Sequence, residues 1–86
     1  MEFTVSQHAD EEMSRRRISR HSLDLLLDSP EQRIMQSDDK EILQSRFADD
    51  NGRIYLVRAV VAVDKDPPVV VTVYRTSKIQ KYWRSA

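Results

Sequence analysis

No cysteine occurs in the 86 residues. A disulfide framework and a thiolate zinc site are therefore both excluded. That absence fits a reducing compartment. No apolar run approaches the roughly 20 residues that cross a bilayer. The apolar core of a signal peptide is missing from the N-terminus. A soluble, cytoplasmic protein that makes no membrane contact is expected. Glycine occurs once, as Gly52, and there is no P-loop and no GxGxxG. The two histidines, His8 and His21, have no third ligand at metal-binding spacing. The sequence points to no metal and no cofactor. There is no internal repeat, low-complexity segment or linker, and the length suits a single domain over residues 1–86.

One sign of charge is also missing locally. The net charge is zero, yet residues 67–86 hold no acid and four bases, Arg75, Lys78, Lys81 and Arg84. The bases of residues 1–31 are bunched as Arg15, Arg16, Arg17 and Arg20. Two basic clusters in a neutral chain can meet as an anion site or stand apart as solvated surface.

The pattern predicts two helices first. Ser6 is a suitable N-cap for a helix over 6–16, whose acids precede its arginines and so complement the helix dipole. Ala9 and Met13 give it a narrow apolar stripe. Ser19 caps a second helix over 20–28, with Ile18 and Leu23 as a hydrophobic staple. Leu23, Leu26 and Leu27 form its core stripe, and Pro30 stops it. Strands are then expected over 32–37, 41–47, 53–63 and 69–74. "DDNG" (49–52) predicts a tight hairpin with Asn51-Gly52 as a two-residue turn. The prolines of "DKDPP" (64–68) place a turn between the last two strands. Thr76 is expected to cap a short helix, "SKIQKYW". The order α-α-β-β-β-β-α predicts an α+β domain: two N-terminal helices, a four-stranded antiparallel sheet and a short C-terminal helix.

Several residues can carry chemistry. His8, Glu12 and Arg16 stand at i, i+4 and i+8, on one helix face. His8 can serve as general base and Arg16 as anion stabiliser. Equally, Glu12 and Arg16 make the favourable i, i+4 ion pair of a solvated helix. Arg58 interrupts an otherwise apolar strand, so it needs an edge, a partner or an open site. Thr72 and Tyr74 share one face of the next strand, and pairing can bring Arg58 onto that face. Lys78 and Lys81, with Arg75 just before them, interleave with Tyr82 and Trp83, a composition suited to phosphate contacts and base stacking. The competing expectation places those two aromatics in the core.

"HADEEMSRRRIS" resembles the opening motif His-Ala-x-x-Arg-Met-x-x-Arg-x-Ile-Ser of the bacterial family called domain of unknown function 4258. The matching residues are His8, Ala9, Met13, Arg16, Ile18 and Ser19. "VVVTVYRTSKIQKYW" resembles its closing strand, where Val-Thr-Val-Tyr recurs. That family is similar in layout to RelE-like toxins and to the barnase–EndoU–colicin–RelE group of ribonucleases. The resemblance implies metal-independent engagement of RNA, with toxin-type endoribonuclease activity at His8, Arg16, Thr72 and Tyr74. Arg58 is added from its place in the strand, and Arg75, Lys78 and Lys81 as RNA contacts. The RNA 2′-hydroxyl would attack the adjacent phosphate and displace the leaving oxygen, with His8 taking the hydroxyl proton, Arg16 and Arg58 stabilising the added charge, and Tyr74 or Lys78 binding the phosphate or protonating the leaving oxygen. A cognate antitoxin protein is the partner this reading brings. The alternative is a non-catalytic protein-interaction module that can form a homodimer. One position departs from the motif: Glu12 stands where the family has arginine.

Overall fold

A computed structural model describes residues 2–85. A two-residue strand β1 (Thr4–Val5) precedes helices α1 (Gln7–Arg16) and α2 (Arg20–Asp28). Strands β2 (Gln32–Ser37), β3 (Lys40–Ala48), β4 (Ile54–Ala62) and β5 (Val69–Thr76) follow, and then the one-turn helix α3 (Ile79–Tyr82).

Both N-terminal helices form where their caps predict. The Ser6 hydroxyl accepts the Ala9 amide, and the Ser19 hydroxyl accepts the Ser22 amide. α1 ends on Arg17, whose backbone is left-handed at φ 57° and whose amide returns to the carbonyls of Met13 and Ser14. Glycine usually fills such a position. α2 ends at Ser29, one residue before Pro30, whose ring disfavours further helix.

The sheet has five strands in the order β1-β5-β4-β3-β2. β2 to β5 are antiparallel neighbours, as the hairpin signals predict. The expected four-stranded antiparallel sheet is corrected by β1, which pairs in parallel with β5. The Thr4 amide donates to Pro68 O at 2.9 Å and the Ser6 amide to Val70 O at 3.0 Å. Two residues give no alternation to read, so this strand is set by its tertiary partner. The Asn51-Gly52 turn is also longer than expected. Asp49 and Arg53 close the loop, and only Gly52 has positive φ, at 79°. That is the three-residue loop with glycine in the left-handed position.

Strand alternation separates two faces. Val57, Ala59 and Val61 of β4, with Leu43, Val70 and Val73, join Ala9, Met13, Ile18, Leu23 and Leu26 in the core. This is the helical face. The opposite face carries Leu56, Arg58 and Val60 of β4. The expected C-terminal helix shrinks to Ile79–Tyr82. Thr76 does not cap it: Thr76 ends β5, and its hydroxyl accepts the Lys78 amide at 3.1 Å. No residue of α3 is buried, and neither Tyr82 nor Trp83 enters the core. No helix among the described residues is long and apolar enough to cross a membrane.

Candidate functional site

The register places Gln32, Gln44, Arg58 and Tyr74 opposite one another on β2, β3, β4 and β5. Residues directly opposite share a face, so the four side chains form one row on the face away from α1 and α2. They are joined end to end. Arg58 Nε donates to Gln44 Oε1 at 2.8 Å, and Arg58 Nη1 donates to the Tyr74 hydroxyl at 2.6 Å. Gln44 Nε2 donates onward to Gln32 Oε1 at 2.7 Å. Thr72 lies on the same face, opposite Val60.

Arg58 is only 7% exposed. A buried guanidinium normally takes a carboxylate partner. None of the described carboxylates pairs with Arg58. Its charge rests on the Gln44 carbonyl, the Tyr74 oxygen and the ring of Tyr82, whose centroid is 4.2 Å from Arg58 Cζ. Amide and hydroxyl dipoles and an aromatic face stabilise a cation without neutralising it.

The face around Arg58 is cationic. Its strand positions carry Lys40, Arg46 and Arg58 and no carboxylate. Glu31 reaches Arg46 from beside β2, with Arg46 Nη2 donating to Glu31 Oε2 at 2.8 Å. This side-chain hydrogen bond, followed by one from the Arg46 amide, holds the Glu31 carboxyl below the usual glutamate range. Arg46 also stacks on Trp83, at 4.2 Å from the ring centroid. Lys78 and Lys81 are exposed on the segment that crosses this face, and Lys81 Nζ sits 5.4 Å from the Tyr82 ring centroid.

Arg58 and Tyr74 are thus in contact and Thr72 shares their face, an arrangement that strand alternation allows and the register decides. His8 and Arg16 do not join them. α1 buries its Ala9–Met13 stripe in the core on the opposite side of the sheet. Among the described residues, no hydrogen bond or ion pair links His8 or Arg16 to Arg58, Thr72 or Tyr74. His8 is exposed, and Arg16 Nε donates to Glu12 Oε2 at 2.9 Å. Glu12 also takes the Arg15 guanidinium. Arg75 likewise leaves the site. It lies opposite Val57 on the helical face, with Cζ 3.7 Å from the Tyr55 ring centroid. The reason is the period of two, which turns adjacent Tyr74 and Arg75 to opposite faces.

Four participants escape a reading of the sequence: Gln32, Gln44, Arg46 and the ring of Tyr82 as a platform. Gln44 carried a signal. It is a polar residue in the middle of "EILQSRF", two strand positions from Ile42, and it needed a partner if buried.

The fold defines an α+β domain with a helical pair on one sheet face and a polar, cationic site on the other. The chain belongs to the family described as Domain of unknown function (DUF4258), whose model matches residues 5–75. The match takes in α1, Arg58 and Tyr74 and ends just before Thr76. Comparison with curated proteins and with solved structures gives no match.

Proposed function

We propose that this domain engages RNA through the sheet face that carries Arg58, Thr72 and Tyr74, as a RelE-like module of the toxin type. One observation carries the reading. Arg58 is nearly buried, fixed in orientation by Gln44 and Tyr74, and has no carboxylate partner among the described residues. A protein that needs only stability gains nothing from such a cation, because an apolar residue of similar volume packs as well or better. A pre-oriented guanidinium that no described carboxylate neutralises suits a phosphate oxygen. Arg46, Lys78 and Lys81 supply further phosphate contacts. Tyr82 and Trp83 supply ring surfaces of the kind on which bases stack.

The geometry favours binding over the cleavage mechanism drawn from the family motif. A general base must come within hydrogen-bond reach of its proton. His8 makes no contact with the Arg58 row, so a reaction that pairs His8 with Arg58 lacks its shared site. RNA engagement therefore rests on Arg58, Thr72 and Tyr74, without His8 and Arg16.

The test is fluorescence anisotropy with a labelled single-stranded oligouridylate. Wild type is expected to bind, and Arg58→Met to bind about tenfold more weakly, a loss of about 1.4 kcal/mol. His8→Ala and Arg16→Ala should bind as wild type does. If wild type leaves the RNA free, the reading fails and the protein-interaction alternative gains.

A further inference from the structure

We infer that residues 78–85 form a displaceable strap that closes Arg58 to solvent and must lift before an oxyanion can reach it. The inference rests on the RNA reading of the same face. The segment leaves β5 and crosses above the whole polar row. The Tyr82 ring meets the Tyr74 ring edge-on, with centroids 6.4 Å apart, and covers the Arg58 guanidinium. Gln44 Nε2 donates to Tyr82 O at 3.2 Å. At the far edge the Gln32 amide holds both backbone groups of Arg84. Its Nε2 donates to Arg84 O at 2.7 Å, and its Oε1 accepts the Arg84 amide at 3.0 Å.

Apart from the edge-on contact of Tyr82 with Tyr74, each anchor is polar or a cation over a ring. α3 buries no residue and adds nothing to the core cluster. A single turn of helix has little stability of its own. Segments with few buried apolar contacts open at low free energy while the rest of the domain stays folded. The same groups that hold the strap are the ones a nucleic acid would claim. Phosphate competes for Arg58, and a base competes for its contact with Tyr82. The strap thus keeps the uncompensated cation covered until a ligand of higher charge replaces it. Gln32 is the latch, because its side chain takes the place of a neighbouring strand for Arg84.

Two substitutions open the latch without replacing a core residue or Arg58. Gln32→Ala removes both bonds to Arg84 and also the acceptor of Gln44 Nε2, so Arg84→Pro, which leaves the polar row whole, is the deciding variant. Arg84→Pro removes the amide that Gln32 accepts and lies outside every strand and helix, so it leaves the fold intact. The experiment measures phenylglyoxal addition to each arginine by peptide mass spectrometry on the full chain, together with acrylamide quenching of Trp83, the single tryptophan. Exposed Arg53 is the internal standard. In wild type Arg58 should react far more slowly than Arg53. In both variants the Arg58 rate should rise about tenfold, and Trp83 should become more quenchable. Oligouridylate should then bind both variants more tightly than wild type. The inference is overturned if Arg58 reacts at the same rate in all three proteins, or if it already reacts like Arg53 in wild type. It is also overturned if the variants free Arg58 and bind RNA no more tightly than a binding wild type. If no form binds RNA, the proposed function falls, while the labelling rates still decide whether the strap covers Arg58.

Discussion

Glu12 stands where the resembling motif has arginine, and its surroundings explain what it does here. Its side chain is 11% exposed, and the carboxylate takes both Arg15 and Arg16. It holds two cations at the C-terminal end of α1, where the helix dipole also favours them. Glu12→Gln should cost about 1 kcal/mol in thermal or urea unfolding, because one partner of a partly buried charged hydrogen bond is lost. RNA affinity should not change. Arg17 makes a second prediction. Its left-handed backbone carries a side-chain penalty that glycine lacks, so Arg17→Gly should stabilise the fold by about 0.5–1 kcal/mol. Arg58 was legible as a residue that needed a partner. The identity of that partner was not, because Gln44 lies 14 positions away and meets it only through the β3–β4 register.

Among the elements, those with local punctuation were legible. Ser6, Ser19 and Pro30 mark the helices, and Gly52 marks the hairpin. β1 was not, because two residues are too short to carry a period and are held by a distant partner. The short C-terminal helix was legible, but its extent and its lack of a Thr76 cap were not. Ser6 joins the two kinds of information. Its hydroxyl caps α1 by accepting the Ala9 amide and donates to Val71 O on β5 at 3.2 Å. Ser6→Ala should therefore cost about 1–2 kcal/mol, toward the high end for an N-cap, measured by urea unfolding. The Glu31–Arg46 pair ties the start of β2 to β3. Because folding lowers the Glu31 pKa, its contribution is present at neutral pH. It is lost as the pH falls from the ordinary glutamate range through the lowered folded value. Glu31→Gln should flatten that part of the acid unfolding curve. The effect is small, since both side chains remain well exposed.

The whole molecule is asymmetric across its sheet. One face is closed by α1 and α2 over an apolar core. The other carries cations, a polar row and a strap held mainly by polar contacts. The neutral overall charge conceals this division, because the acids lie mainly on the helices, the turns and the helical face. The acid-free C-terminal stretch is visible in the sequence. Arg75 stands beside Lys78 and Lys81 there, although it belongs to the helical face. Which face each strand base joins depends on strand parity, which cannot be read from composition. RNA engagement by the Arg58 face is tested most directly by oligouridylate binding of wild type, Arg58→Met and His8→Ala across a salt series. Binding should weaken as salt rises, fall about tenfold in Arg58→Met and stay unchanged in His8→Ala. Equal affinity of wild type and Arg58→Met would contradict a role for Arg58 in RNA binding.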